Sequence, residues 1–324
     1  MKPSFFHTLV NGPFEDPSLY IRFLRERRAL MFDLGSLGRL SAGDLLKITD
    51  VFVSHAHIDH FIGFDTLLRA VLRRPRPLRV FGPADMPDCV EGKLKGYTWN
   101  LIKEYPVQIE AFGISENAVS HASFHASECF KRIDRGQMPF DGAVLKEETF
   151  RIRAVNLTHD IQCLAYAIEE DFHINIDKAA LSRMALPVGP WLGRLKQAIR
   201  EGADDETEFE IEGKDYRLGE LKGLAMITKG QKVSYIVDAS PTEENIKKAA
   251  HLARDSDTLY CEAYFLDEDS ERARHRNHLT ARLAGAIARE ARAGSLVVMH
   301  FSPKYKRTPH APVEEAMGEF KRLV

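Results

Sequence analysis

Within the six residues His55-Ala56-His57-Ile58-Asp59-His60 the chain places three imidazoles and one carboxylate. The residues just before them, Asp50-Val51-Phe52-Val53-Ser54, centre on an apolar, β-branched run and read as a strand. In an extended segment positions i and i+2 point to one side, so His55 and His57 can grip one metal ion together. Asp59 and His60, just beyond, are then free to serve a second ion. Imidazole and carboxylate donors suit zinc, and manganese or iron with less preference. Two ions need more ligands than four residues supply, so the fold must bring further donors to the end of this strand.

The rest of the chain offers such donors. Ala29 to Asp33 reads as another strand, and Arg151 to Leu157 alternates polar and apolar like a half-buried one. Val233 to Val237 leads into a helix starting near Thr242, a residue suited to the N-cap, with Glu243 and Glu244 in the favourable first turn. Thr258 to Glu262 is the next strand. A helix over 280–293 follows, with Leu283, Ile287 and Ala291 at spacing four and Gly294 as its stop, and Ser295 to Met299 closes the series as a strand. Strand and helix alternate, which places the chain in the α/β or mixed α+β class, as one domain over 1–324. His159, Asp238 and His300 each follow one of these strands, and strand ends converge at one sheet edge, where α/β enzymes place their sites. Taken singly, each could be a satisfied core histidine or a helix-capping aspartate; beside the motif at 55–60 they read as ligands.

Other features are read more plainly. His7, His121, His125, His173, His251, His275 and His310 are expected at the surface or in the core. His121 and His125, four apart, could pair on a helix, but no carboxylate pattern accompanies them. Asp33, two residues before Gly35, reads as shaping a turn rather than binding metal, and Trp99 and Trp191 as core or arm contacts. Pro187 to Lys196 breaks the rhythm with turn residues and apolar groups, and seven carboxylates follow between Glu201 and Glu212. Either a protruding arm at about 172–222 with a short helix, or an irregular surface insertion, fits that composition.

Composition bounds the partners. The 324 residues carry a formal net charge of −2, so polyanion binding would rest on local patches rather than on the whole field. Arg22/Arg25/Arg27/Arg28 and Arg73/Arg74/Arg76/Arg79 read as solvated surface, whereas Arg272/Arg274/Arg276 and Lys304/Lys306/Arg307 flank candidate site histidines. The four cysteines lie far apart without a C-x-x-C pair, which points to a reducing, cytoplasmic setting. No stretch is apolar for long enough to form a membrane helix, and residues 1–10 do not read as a signal peptide.

The order of these residues resembles the metallo-β-lactamase superfamily, and within it ribonuclease Z, over about Ala29 to Phe320. The resemblance implies an αββα sandwich of two face-to-face sheets with helices outside and a small inserted arm. It implies two divalent ions, one held by His55, His57 and His159, the other by Asp59, His60 and His300, with Asp238 bridging them. His278-Leu279-Thr280 is similar to the family's H-x-T motif, and Cys261-Glu262-Ala263-Tyr264-Phe265 to its H-E-A-T-F, whose glutamate orients the histidine matching His278. The stretch from His300 to Tyr305 resembles H-F-S-x-R-Y, and Gly189-Pro190 with Leu195 and Lys196 is similar to the arm that grips the tRNA elbow. The implied partners are a phosphodiester substrate, precursor tRNA among them, and a second copy of the chain.

This chain also departs from the pattern. Cys261 and Tyr264 replace a histidine and a threonine, Lys304 an arginine, and Ala239 the threonine of G-D-T; Val10 to Glu15 stands where the family has its glycine-rich and P-x-K-x-R-N loops. The expected reaction is hydrolysis of a phosphodiester, two ions roughly 3.5–4 Å apart clamping the attacking and leaving oxygens. Asp59 would orient the water, and His278 with Glu262 would stabilise the phosphoryl oxygens or protonate the leaving oxygen. Two alternatives stand beside it: a phosphodiesterase for a cyclic or modified nucleotide, and a metal-stabilised protein without catalysis.

Overall fold

Strands with two apolar faces need cover on both sides, and this chain meets that need with four layers. The computed structural model describes residues 4–24 and 26–322, so Arg25 of the first basic cluster lies outside the described residues. β1 (Phe5–Leu9), β2 (Leu19–Phe23), β3 (Ala29–Phe32), β4 (Ile48–Phe52), β5 (Leu78–Pro83), β6 (Gln108–Ile114), β7 (Ala118–His125) and β8 (Arg132–Pro139) bond in sequence order into one eight-stranded sheet. β3 to β6 run parallel and the flanking pairs antiparallel. β9 (Ala143–Lys146), β10 (Phe150–Thr158) and β11 (Gln162–Glu170) open the second sheet. β12 (Phe172–Ile176), β13 (Glu208–Ile211), β14 (Lys214–Arg217) and β15 (Ala225–Lys229) intervene in sequence before β16 (Lys232–Ile236), β17 (Thr258–Glu262) and β18 (Leu296–Met299) complete it in the order β18-β17-β16-β11-β10-β9.

Residue alternation assigns each face. From β3 and β4, Leu30, Phe32 and Phe52 turn inward and meet Leu164, Tyr166, Val233 and Tyr235 of the second sheet in one buried cluster. Met31, Val51 and Val53, one residue out of phase, pack instead against the helices Phe64–Val71 and Met86–Lys95. Ala165, Ala167 and Ile236 do the same on the outer face of the second sheet, beneath Glu243–Ala253 and Ala281–Glu290. The result is the αββα sandwich that the resemblance implied. Stacked rings run across the inner face of the first sheet, Phe52 on Phe81 at 4.9 Å, Phe81 on Phe112 at 4.5 Å and Phe112 on His121 at 4.4 Å.

Element ends shift slightly from the sequence reading, for local reasons. Strand β3 stops at Phe32 because Asp33 turns into the left-handed region at φ 58°. Thr242 and Thr280 cap their helices with side chains that accept from Asn245 N and Leu283 N. His121 and His125 sit on strand β7, not on a helix, and His121 bonds Glu110. A strand carries residues four apart too far along its length for them to pair as they would one helical turn apart.

Residues Glu170–Gln231 form a compact unit of their own. Its core gathers Leu181, Trp191, Leu195, Phe209, Leu218 and Leu221, with Trp191–Glu201 as its longest helix and β13 paired to β14.

At the starts of β3, β4 and β5, Arg28 is 4% exposed and donates to Asp50 (2.8 Å), to Thr49 (3.1 Å) and to Glu147 (2.9 Å), a residue between β9 and β10. Arg79 joins the same two carboxylates. A buried cation so completely answered is stable, but one left alone is not. Asp50→Ala is therefore expected to cost about 3–5 kcal/mol in denaturant unfolding. A loss below about 1 kcal/mol would mean that Arg28 finds water instead.

Candidate metal centre

Parallel strands deliver their carboxyl ends to one edge, and here both sheets do so. β4 passes through Val53 and Ser54 to His55, and the short helix Ile58–Phe61 that follows carries Asp59 and His60. In the second sheet, β16 and β18 run parallel to β17 on either side of it, so Asp238 and His300 emerge just past their ends, flanking Glu262. β10 ends at Thr158, immediately before His159. Asp33, Asp238 and His300 all adopt left-handed backbone, with φ of 58°, 46° and 56°. Such conformations are costly for residues other than glycine and persist where surrounding contacts dictate them.

The donor atoms converge into three groups, each with ligand atoms within 4.8 Å of one another. The first is His55, His57, His159 and Asp238; the second is Asp59, His60 and His300; the third is Asp238, Glu262, His278 and His300. Asp238 Oδ2 lies 3.5 Å from His55 Nε2, 3.3 Å from His60 Nε2 and 3.6 Å from His159 Nε2, so one oxygen faces imidazoles of the first two groups. Asp59 Oδ2 lies 3.5 Å from His60 Nε2 and 3.4 Å from His300 Nε2. All nine residues singled out for the site, Glu262 and His278 included, thus gather at one edge. His57 and Asp59 are its more open members.

What the sequence reading missed is the layer behind. Asp33 does shape a turn, but its carboxylate also meets His60 Nδ1 at 2.8 Å and accepts from Ser54 N at 2.6 Å, Ser54 Oγ at 2.9 Å and the Tyr235 hydroxyl at 2.9 Å. His159 Nδ1 lies 2.6 Å from the backbone oxygen of Asn277, and His55 Nδ1 3.1 Å from Ser54 Oγ. Holding Nδ1 in this way fixes the ring and presents Nε2, the usual arrangement behind a metal-binding histidine. A charged residue at the end of an otherwise apolar strand was the available signal for Asp33; a backbone carbonyl leaves none. Glycines make the packing feasible: a Cβ on Gly63 would sit 2.2 Å from Gly35 O, and one on Gly35 would sit 2.8 Å from Asp59 O.

Charge and burial set the protonation. Burial, aided by neighbouring imidazoles, lowers His55 to about 2, so it stays neutral and ligand-ready. Burial also opposes charge on His60, but Asp238 and Asp33 outweigh it and raise that pKa to about 10, so a cation at Nε2 would displace a proton on binding. Asp59, which burial alone would raise, is lowered to about 2 by His300 and His60. The buried atoms His55 Nε2, His60 Nε2 and Asp238 Oδ1 have no hydrogen-bond partner. Orphaned polar atoms are rare in protein interiors, and imidazole nitrogens left without a partner around one buried carboxylate fit a cation.

A sandwich edge whose buried donors call for cations is that of a metal-dependent hydrolase with the metallo-β-lactamase fold. The metallo-β-lactamase fold protein YhfI from Bacillus subtilis superposes with a TM-score of 0.57 at 16% identity, over 99% of this chain and 94% of that one. The short form of human tRNase Z gives 0.51 at 19% identity, over 93% of each. No protein-family model matches the chain. In sequence it is 30% identical to ribonuclease Z of Deinococcus radiodurans over 282 residues, 86% of this chain and 83% of that protein. It is 27% identical to ribonuclease BN of Proteus mirabilis over 97% of this chain and 94% of that protein. The chain belongs to the ribonuclease Z family and is a metal-dependent phosphodiesterase of that type. No helix among the described residues is long and apolar enough to cross a membrane.

Removing the Asp33 carboxylate tests the layer behind the donors. Asp33→Ala is expected to weaken metal affinity by about 10- to 100-fold in a chelator competition, with the circular-dichroism spectrum retained. Unchanged affinity would deny Asp33 any part in holding His60.

Proposed function

We propose that this edge holds two divalent ions, zinc by ligand preference, and cleaves a phosphodiester bond of RNA, with 3′-extended precursor tRNA as substrate. The observation that carries the reading is Asp238 Oδ2, shared at 3.3–3.6 Å among imidazoles of two donor groups, with the His278–Glu262 pair beside it. In this assignment His55, His57 and His159 hold one ion, Asp59, His60 and His300 the other, and Asp238 both. Bound there, the ions would supply Lewis acidity at the phosphoryl oxygens and lower the pKa of the attacking water. RNA as substrate class follows the names of the ribonuclease relatives, and tRNA that of the human fold neighbour.

The chain's own groups do the remainder. Asp59, half-open beside His57, orients the attacking water. His278 Nδ1 lies 2.9 Å from Glu262 Oε2, which leaves Nε2 for the substrate. Burial works against a charged His278, but Glu262 prevails and raises its pKa, as protonation of a leaving oxygen requires. Glu262 is itself held by the backbone N–H groups of Ala239 (2.9 Å) and Leu279 (3.1 Å). Arg274 and Arg276, just before His278 in sequence, and Lys306 and Arg307, just after His300, are exposed and have no ion-pair partner among the described residues. Exposed cations next in sequence to site histidines suit a phosphate backbone on a chain of net charge −2, and Glu268 and Glu271 on the same segment oppose them.

One observation favours the second reading, a small-nucleotide phosphodiesterase. Carboxylates outnumber cations twelve to nine in the unit Glu170–Gln231, an unfavourable composition for gripping RNA. Gel shifts with precursor tRNA separate the two. The RNA enzyme binds with an affinity that falls steeply with salt, and Arg274→Ala is expected to reduce the salt slope by about one unit. Salt-independent or absent binding, with cyclic nucleotides still cleaved, would establish the small-molecule enzyme.

His278→Ala is expected to lower turnover by about 10²- to 10⁴-fold with metal content intact. Asp59→Ala is expected to lower turnover and metal content together. Loss of metal in the His278 variant would place that residue among the ligands instead.

A further inference from the structure

A hydrogen bond at Nδ1 turns the far nitrogen of an imidazole toward the site, and a ring stacked flat on its face restrains the remaining tilt. His278 is tied at Nδ1 by Glu262, and its backbone N–H donates to Ala273 O at 3.0 Å. Neither contact presses on the face of the ring, whose residual tilt moves Nε2 sideways. The Tyr264 ring lies flat against that of His278, with centroids 4.0 Å apart and planes 8° from parallel. The other aromatic neighbours of His278 meet it at steep angles: His159 at 59°, Phe265 at 65° and His300 at 67°. Tyr264 is therefore the one ring among the described residues that defines the His278 plane.

Tyr264 is well placed to do so. It follows the end of β17, where Ala263 N donates to Met299 O at 2.9 Å and Ser302 N donates to Tyr264 O at 3.0 Å. Phe265 packs against its ring edge-on at 4.9 Å, and His300 at 5.2 Å. In the H-E-A-T-F motif that Cys261 to Phe265 resembles, this position is a threonine, which has no ring to stack.

We infer that Tyr264 is a positioning residue that sets the plane of the His278 imidazole by face-to-face stacking and so aims Nε2 at the leaving oxygen. This rests on the phosphodiesterase reading above. Misdirection of an acid by a fraction of its reach lowers the rate without weakening substrate binding. The loss should appear where the leaving group needs a proton, as the ribose alkoxide of RNA does. It should be small for bis(p-nitrophenyl) phosphate, whose nitrophenolate leaves unprotonated.

The test compares Tyr264→Ala, Tyr264→Phe, His278→Ala and the double variant Tyr264→Ala/His278→Ala in the metal-loaded protein. Tyr264→Ala is expected to lower kcat on precursor tRNA by about 10- to 100-fold, with KM and metal content unchanged. Tyr264→Phe should restore most of that loss. Adding Tyr264→Ala to His278→Ala should cost nothing further, because the two act as one unit. Independently of activity, the His278 ring protons should show an upfield ring-current shift by NMR in wild type and Tyr264→Phe that Tyr264→Ala abolishes. An additive double variant, a defect confined to KM, or an unchanged NMR signature would overturn the inference and leave the functional reading standing. Wild-type protein inactive on every phosphodiester would instead overturn that reading, while the NMR comparison still decides the stack.

Discussion

Asp238 is a carboxylate only 3% exposed, and desolvating an isolated charge of that kind costs several kcal/mol. Positive or positively polarised neighbours must therefore surround it, and they come from both halves of the sandwich. His55 and His60 approach from the first sheet, His159 and His300 from the second, the closest contact being His300 Nδ1 to Asp238 Oδ1 at 2.8 Å. That last pair lacks the alignment of a hydrogen bond, as expected of atoms arranged toward a third partner. The sheets thus have to close in register for this one carboxylate to be tolerated.

Asp33 couples the sheet core to the same edge. Its carboxylate takes the hydroxyl of Tyr235, whose ring lies in the core between the sheets, and on its other side holds His60 and Ser54. Tyr166 makes the corresponding crossing, with its hydroxyl donating to Val53 O at 2.8 Å. Both tyrosines bury their rings among Phe32 and Phe52 and spend their one polar group next to the donors. Packing of the core and placement of the imidazoles are in this sense one problem. At the opposite ends of the strands, the Arg28–Asp50–Glu147 cluster ties the two sheets together by charge, beside the Phe23–Phe150 ring contact at 4.9 Å.

Function then depends on what stands at the open side of the edge. His278 sits on a loop after the helix Ser270–Arg276, whose last turn exposes Arg274, His275 and Arg276. Lys304 and Tyr305 both reach Asp269, which ties the loop after His300 to this segment. On a chain with almost balanced charge such local groups still matter, because charges on fixed loops act over about a Debye length of 8–10 Å.

Much of the fold was legible because its signals are local. Alternation in Arg151–Leu157, the caps Thr242 and Thr280 and the apolar run before His55 depend on near neighbours, and the matching elements are present. The donors could be nominated for a similar reason: His159, Asp238 and His300 each follow a strand, and strand ends meet. Other features lay beyond such reading. That His121 and His125 stand on a strand was decided by pairing with β6 and β8, strands that are not their sequence neighbours in any helical sense. The carboxylate of Asp33 looks like any turn residue until Tyr235, 202 positions away, lies against it. The stack of Tyr264 on His278 and the grip of Asn277 O on His159 likewise join residues that no spacing relates. The sequence by itself determined which residues could bind metal and where the strands run, because residue chemistry and backbone period are properties of short segments. Only the tertiary structure decided which nitrogen faces the centre and which ring holds which, because those depend on contacts that exist only once both sheets have closed.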